Sequence, residues 1–412
     1  MWELLEKSEK NAEKVERPSL TYWQDAWRRL KLNKVAVFSL AIIVLILLIA
    51  IIVPFLWPIK YTDQVLEFAN TPPRLKIYDL GDGNFIYVTN ENRVIEITED
   101  GKLIKMAQVI LDDKENRMYE FKVGDNTVVV DYSPYYLAKK ELIQIKKKAR
   151  HDSSIDVIKE EQRVENISRS NIYCNDQMIS VAKTVWNKTY KLGTDSLGRD
   201  MFIRLVYGAR ISLTVGIAAA IMNFFIGVLY GGISGYFGGR TDNIMMRIVD
   251  TISSIPMLLY VILLAVLLDD TGIWTIILAM SLTYWESMAR LVRGEVLSLK
   301  EQEFILAAQT IGASTKRILL RHLVPNIMGP VMVSITMQIP AAIFTEAFLS
   351  FIGLGVSAPM ASWGKLCNDA LSSFLTYPYQ LFFPAIAISI TILAFNLLGD
   401  GLRDALDPKL RK

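Results

Sequence analysis

Apolar residues in this chain are gathered into long blocks that are separated by polar stretches. A block of about 20 apolar residues is long enough to cross the hydrocarbon core of a bilayer as a helix. Such blocks predict about six membrane-spanning helices, at residues 35–57, 205–233, 248–268, 273–288, 327–351 and 381–398. Pro256 is expected to kink the third of these helices, because proline removes a backbone hydrogen bond. The pattern therefore predicts an all-α polytopic membrane protein.

Residues 60–191 follow a different pattern, in which short runs are rich in β-branched and aromatic residues. The runs include NFIYVTN, RVIEITED and NTVVVDY, and turn signals such as GDG and GDN separate them at hairpin spacing. We therefore predict an inserted, mainly β domain with one buried and one wet face. A charged, more helical stretch is expected at 137–162.

Basic residues indicate the side of the membrane on which each segment lies. Four of them, Arg28, Arg29, Lys31 and Lys34, precede the first predicted span, and short cytoplasmic loops are enriched in lysine and arginine. Residues 1–34 are therefore predicted to be a cytoplasmic amphipathic segment that contacts membrane lipid. Residues 60–191 are then extracytoplasmic. The basic C-terminal tail places that end in the cytoplasm too, so we predict a multi-pass protein of the cytoplasmic membrane with both termini inside.

Composition and motifs argue against several kinds of function. A net charge of +3 argues against a nucleic acid partner. The two histidines and two cysteines show no repeated metal-ligand spacing and no disulfide framework, and whether Cys174 and Cys367 pair stays open. A GxxxxGK(S/T) loop is also missing, so ATP-driven work would need a separate ATPase. We predict that the chain is not an enzyme and holds no metal.

A polar segment at residues 299–326 lies between two of the apolar blocks. Its sequence predicts a short helix at 301–310 that ends at Gly312, because glycine suits the left-handed position after a helix. Ser314 is expected to cap a second short helix at 315–323, and Pro325 is expected to break it. The predicted product is a helical elbow with small residues on its surface.

The elbow and two other strings resemble a known family. Its small residues and proline have the spacing of the coupling loop of bacterial ABC-importer permeases, although Leu306 stands where that motif has a glutamate. The string GTDSLGRD before the second span, and EAFLSFIGLGVSAPMASWGKL after the elbow, are similar to segments of the oligopeptide/dipeptide permeases. The chain thus resembles the C-type membrane subunit of these importers over residues 20–57 and 192–412. The long segment at 60–191 is a departure from the family.

This resemblance implies a type I ABC-importer permease fold, whose core at 192–412 would hold five spans and a coupling loop at 293–326. The loop would contact an ATPase through Ala307, Ala308, Gly312, Ala313, Ser314, Arg321, His322 and Pro325. The implied partners are a homologous second permease subunit, two cytoplasmic ATPase subunits and an extracytoplasmic peptide-binding protein. ATP and magnesium would be bound by the ATPase subunits, and this chain would carry no cofactor.

The resulting hypothesis is a permease subunit of an ATP-driven importer for oligopeptides or dipeptides, forming half of the translocation path. One alternative is a permease for nickel or another metal chelate, because those permeases resemble this chain. An alternative of a different class is a membrane-anchored extracellular sensor or docking protein whose β insertion carries the function.

Two carboxylates, Glu286 and Glu346, lie deep in predicted spans. Charged groups are costly in lipid, so each should face a partner or a wet cavity. Arg290 is the expected partner of Glu286, because it lies four residues further along the same helix. Glu346 has no cation nearby in the sequence. Both residues are candidates for the translocation path or the subunit interface, and Glu346 is equally a candidate for a structural hydrogen bond.

Overall fold

The computed structural model describes residues 22–149, 156–270 and 272–406. Most of the predicted N-terminal segment and the last basic residues of the tail lie outside the described residues. The helices are α1 (Tyr22–Leu32), α2 (Lys34–Leu56), α3 (Ser133–Ala149), α4 (Val157–Glu165), α5 (Met201–Phe237), α6 (Gly239–Ser253), α7 (Met257–Leu268), α8 (Ile273–Thr283), α9 (Trp285–Leu299), α10 (Glu303–Thr310), α11 (Thr315–Arg317), α12 (Val324–Phe351), α13 (Trp363–Ala370) and α14 (Tyr379–Leu406). The strands are β1 (Arg74–Asp79), β2 (Phe85–Val88), β3 (Val94–Ile97), β4 (Leu103–Met106), β5 (Gln108–Asp113), β6 (Met118–Val123), β7 (Asn126–Asp131), β8 (Asn171–Cys174), β9 (Gln177–Ile179) and β10 (Lys183–Trp186).

The chain divides into two compact units. One unit holds the described residues up to Leu48, together with Ile211–Gly355 and the described residues from Ala387 onward. It is helical and contains the elbow. The other unit holds Ile49–Arg210 and Val356–Ile386. It contains every strand of the described residues.

Four helical stretches within the described residues are long and apolar enough to cross a membrane. They are α2, α5, α14 and the stretch Thr315–Phe351 that ends with α12. These stretches cover the first, second, fifth and sixth predicted spans. The predicted third and fourth spans are shorter helices, so the expected number of about six is not confirmed. The number rises to five if α6 and α7 together form one bent span.

Pro256 breaks the third predicted span completely. The axes of α6 and α7 differ by 79° across this break. Proline lacks an N–H and disfavours a helical conformation at the residue before it, here Ile255. The fourth predicted span is also interrupted, because α8 ends before Tyr284 and α9 begins after it. Neither α7 nor α8 alone therefore spans a bilayer.

The predicted β insertion forms two five-stranded antiparallel sheets. Their strand orders are β10-β1-β2-β3-β4 and β5-β6-β7-β8-β9. A cluster of buried side chains draws on both sheets and includes Ile86, Val94, Phe121, Val128 and Ile172. Buried and accessible positions alternate along several strands, as the sequence predicts for sheets with one face covered.

Four strands of the insertion were not predicted. β1 precedes the first predicted strand, and β8, β9 and β10 follow the predicted helical stretch, which forms α3 and α4. β10 pairs with β1, where Arg74 lies opposite Trp186, and so closes the first sheet with a strand distant in sequence. These short strands become recognisable only through their partners.

The polar approach to α5 contains a buried ion pair. Arg199 Nε lies 2.6 Å from Asp195 Oδ2. Asp200 makes other bonds: its Oδ2 accepts a hydrogen bond from Trp57 Nε1 at 2.9 Å, and its Oδ1 accepts one from the backbone N–H of Phe202 at 2.8 Å. Burial raises the pKa of Asp200 above its usual range. In the described residues, Cys174 and Cys367 form no disulfide.

Candidate functional site

The predicted elbow is fastened to the surrounding helices by one apolar face. Ile305 of α10, Ile318 and Leu323 are buried. They share a cluster with side chains of α5, α9 and α12: Val228, Met288, Val292, Val296, Ile327 and Val331. The elbow is therefore held on three helices, and its other face is left accessible.

Gly312 makes the turn of the elbow, as its sequence position predicts. Its φ is +83°, a left-handed conformation that glycine adopts without steric cost. The N–H of Gly312 donates to the carbonyl of Gln309 at 2.9 Å, and the N–H of Ala313 donates to the carbonyl of Ala308 at 3.0 Å. This pair of bonds is the Schellman ending of a helix. A β-carbon on Gly312 would have no neighbour within 4 Å.

The second half of the elbow begins with the predicted helix cap, but the helix that follows differs from the predicted one. Ser314 Oγ accepts a hydrogen bond from the N–H of Arg317, which confirms the cap. The chain then passes through a π-helical turn, Ile318–Leu323, directly into α12.

The prediction that Pro325 breaks this helix was wrong. Pro325 lies in the first turn of α12, where a proline is tolerated because its missing N–H is not needed. Asn326 Nδ2 also donates to the carbonyl of His322 at 2.6 Å, which satisfies a backbone group beside the proline.

The accessible face of the elbow carries apolar side chains. Ile311 is 86% exposed, Leu306 is 50% exposed and Phe304 is 44% exposed. Ala307 and Gly312 are exposed beside them. We call these five residues the coupling surface. Exposed apolar residues that occur together mark an interaction site more often than isolated ones do.

The eight site residues predicted from the sequence all lie in this elbow or at its junction with α12. Five are exposed and three are half-buried; the half-buried ones are Ala308, Ala313 and His322. The sequence analysis missed Phe304 and Ile311. Their apolar character beside the small residues of the elbow was the available signal.

Glu346 is completely buried in α12, on the side that faces α5. Its Oε2 accepts a hydrogen bond from Ser212 Oγ at 2.6 Å, and its Oε1 accepts one from Ser350 Oγ at 2.7 Å. One turn further along α5, a β-carbon on Gly216 would lie 2.7 Å from Ile343 Cγ1, so the two helices approach closely. These contacts favour the structural hydrogen bond for Glu346 over a role in the path.

Glu286 does not form the pair with Arg290 that its spacing predicts. Arg290 Nη2 instead donates to Asp250 Oδ1 at 3.1 Å and to Ser253 Oγ at 2.9 Å. Those acceptors belong to α6, so packing between helices overrides the spacing along one helix. Glu286 is half-buried, and its Oε2 is buried without a hydrogen-bond partner among the described residues.

Comparison with known proteins assigns the family. Residues 227–412 match the family model described as "Binding-protein-dependent transport system inner membrane component", and residues 21–73 match "N-terminal TM domain of oligopeptide transport permease C". The chain is 39% identical over 410 residues to the "Dipeptide transport system permease protein DppC" of Bacillus subtilis (strain 168), covering 99% of this chain and 92% of that protein. The chain belongs to the oligopeptide/dipeptide permease family. It is therefore a multi-pass membrane permease.

Other relatives of this permease differ in how much of the chain they match. The "Oligopeptide transport system permease protein OppC" of the same Bacillus strain is 58% identical over 226 residues, which cover 55% of this chain and 74% of that protein. The DppC protein of Lactococcus lactis subsp. cremoris (strain MG1363) is 34% identical over 408 residues, covering 98% of this chain and 95% of that protein. The segment at 60–191, which was expected to depart from the family, thus has counterparts in these two DppC proteins.

One solved structure, "Inward facing conformations of the MetNI methionine ABC transporter", aligns with half of this permease. The alignment covers 50% of this chain and 98% of that chain, at 18% identity and a TM-score of 0.43.

Proposed function

We propose that this permease is a membrane subunit of an ATP-driven importer for oligopeptides or dipeptides. The main support for this function is the 39% identity to a dipeptide transport permease over 99% of the chain. The relatives named above are described as oligopeptide or dipeptide permeases, and none of these descriptions favours the metal-chelate or sensor alternative. With a homologous second permease subunit, this chain would form the translocation path.

The coupling surface is proposed to dock on one of two cytoplasmic ATPase subunits, which would bind ATP and magnesium. Exposed Ile311 offers an apolar anchor, and the open space at Gly312 allows close approach of a partner backbone. The helical stretch Thr315–Phe351 continues from the elbow through α12. A displacement of the elbow would therefore move α12 with it.

Six membrane crossings and a type I permease fold are part of this proposal. The broken pairs α6–α7 and α8–α9 would each supply one crossing in addition to the four long stretches. An even number of crossings leaves both termini on the same side, and the loop charges favour the cytoplasm for that side.

The β insertion is proposed to lie outside and to form part of the docking platform for a peptide-binding protein. Hydrogen bonds fix its base to the residues around the start of α14. Gln380 Nε2 donates to Asn70 Oδ1 at 2.9 Å, and Tyr377 OH donates to Glu91 Oε1 at 2.9 Å. These bonds attach the base of the insertion to the residues around the start of α14, which belong to the same compact unit. The alternative is an external domain that only stabilises the complex.

Reconstitution of the whole complex tests the proposed function. Proteoliposomes that contain both permeases, the ATPases and the binding protein should accumulate labelled peptide when ATP is supplied. Ala308→Arg should lower this uptake about tenfold or more while the permease still inserts in the membrane, because a large side chain forced into a packed interface costs about 1–3 kcal/mol. Ala308→Ser serves as the control of similar size. Absence of uptake in the wild type would refute peptide import, and normal uptake by Ala308→Arg would refute the coupling assignment.

A further inference from the structure

Helices α7 and α8 are joined by a polar turn. At its other end each helix stops at a break, and the two breaks lie at nearly the same distance from the turn. α7 has 12 residues and α8 has 11, counted from the polar turn that includes Asp269 and Asp270. At about 1.5 Å per residue, both breaks lie roughly 16–18 Å from that turn. With the turn at the outer boundary, both breaks fall inside a hydrocarbon core of about 30 Å. Irregular backbone at that depth occurs where protein or water covers it.

The side chains near these breaks are polar, and most of them are exposed, whereas that of Glu286 is half-buried. Ser253 and Ser254 are exposed at the end of α6. The ion pair between Asp250 and Arg290 leaves 56% and 44% of the two side chains exposed. Charged groups of this kind inside a membrane face a wet cavity or another protein. We call Asp250, Ser253, Ser254, Glu286 and Arg290 the break cluster.

Among the described residues, no group donates a hydrogen bond to the buried Oε2 of Glu286 in the break cluster. Arg290 is used by Asp250 and Ser253, and the neighbouring Ser287 Oγ donates to the carbonyl of Tyr284 at 3.1 Å. Because Asp250 pairs with Arg290, Glu286 gives the cluster one more carboxylate than it has cations. A buried acceptor without a donor costs free energy that an incoming cation would recover.

We propose that Glu286 binds the α-ammonium group of a peptide during its passage through the path. This inference rests on the proposed function. A carrier of peptides that differ in sequence gains from contacts with groups that every peptide has. An ammonium group supplies a full charge and several N–H donors, and charge-assisted bonds are stronger than neutral ones. The exposed hydroxyl groups of Ser253 and Ser254 already donate to the carbonyls of Asp250 and Thr251, so towards a peptide backbone they would act as acceptors.

Uptake by the reconstituted complex tests the role of Glu286. Wild type and Glu286→Gln are compared on one peptide with a free amino terminus and on its N-acetylated form, at equal occupancy of the binding protein. We expect the wild type to carry the free form about tenfold faster, the loss typical of a broken charge-assisted bond, and Glu286→Gln to carry both forms at the same rate. Asp269→Asn, at an exposed carboxylate in the turn between α7 and α8, is the control and should behave as wild type. An unchanged ratio in Glu286→Gln would overturn the proposal.

A second measurement on the wild type keeps the proposal testable if Glu286→Gln fails to assemble. Two peptides carry photo-leucine at either the first or the last residue, and mass spectrometry locates the crosslinks formed during turnover. The first-residue probe should label α9 around Glu286, and the last-residue probe should label other positions. Equal labelling by both probes, or labelling of the first residue elsewhere, would contradict the proposal. Failure of the wild type to take up any peptide would instead refute peptide import.

Discussion

At the residue scale, the coupling surface depends on an apolar side chain that the sequence analysis did not single out. Ile311 is 86% exposed and lies directly before Gly312. Because it has few contacts within this chain, it contributes little to the fold of the isolated subunit. Full burial of such a side chain against a partner would contribute about 1.5–3 kcal/mol.

We expect Ile311→Asp to keep the thermal stability of the isolated permease within about 0.5 kcal/mol of the wild type, as for most surface substitutions. Peptide-stimulated ATP hydrolysis by the complex should fall about tenfold or more, because each 1.4 kcal/mol of lost interface energy is about a factor of ten. Ile311→Leu keeps the apolar anchor and should retain activity. If ATP hydrolysis by Ile311→Asp equals that of the wild type, Ile311 is not part of the interface.

At the element scale, α5 is packed closely against α9 through its glycines. A β-carbon on Gly231 would lie 2.3 Å from the carbonyl oxygen of Ala289, whereas one on Gly294 of α9 itself would have no neighbour within 4 Å. Gly231 and Gly294 therefore offer a test position and a matched control position for the same substitution. One is needed for packing, and the other only lowers the helix propensity.

Gly231→Ala should lower the melting temperature of the detergent-solubilised permease, because the backbone of α9 has to move away. An overpacked site costs about 1–3 kcal/mol. Gly294→Ala should leave the melting temperature unchanged or raise it, since alanine favours a helix by about 1 kcal/mol over glycine. Equal melting temperatures for the two variants would contradict the close packing of α5 and α9.

At the scale of the whole molecule, the proposed topology places the elbow inside and the insertion outside. In a background with Cys174 and Cys367 replaced by serine, an impermeant thiol reagent added to intact cells should label Lys188→Cys. The side chain of Lys188 is 59% exposed, so access should not limit the reaction. Lys316→Cys, also at an exposed position, should react only after the membrane is opened. Labelling of Lys316→Cys in sealed cells would overturn the topology.

The role of the insertion is tested by replacing residues 74–186 with a short flexible linker. Arg74 and Trp186 are paired neighbours in β1 and β10, so a short linker can join the two ends. The variant also keeps the bond between Asn70 and Gln380. We expect normal assembly and at least about tenfold weaker affinity for the binding protein, because an interface loses its main contacts. Unchanged affinity would exclude the platform, and loss of assembly would favour a purely stabilising domain.

Sequence alone predicted the features that depend on local chemistry. Four of the six predicted spans correspond to long apolar helices of the described residues, because a helix satisfies its own backbone in lipid and needs only length and apolar side chains. Gly312 and Ser314 were predicted correctly because a left-handed turn and a helix cap involve only neighbouring residues. The strands at the centre of the insertion also followed from their own alternation and turn signals.

Tertiary structure decided the features that depend on partners distant in the sequence. Pro325 continues a helix because the π-helical turn and the first turn of α12 accommodate it, and Arg290 pairs with Asp250 because α6 packs beside α9. Ser212 meets Glu346, and β10 meets β1, only after the chain has folded. In each case several partners were compatible with local geometry, and the packing of helices or strands selected one. This is the physical reason that the Oε2 of Glu286, which has no partner among the described residues, could be recognised only from the structure.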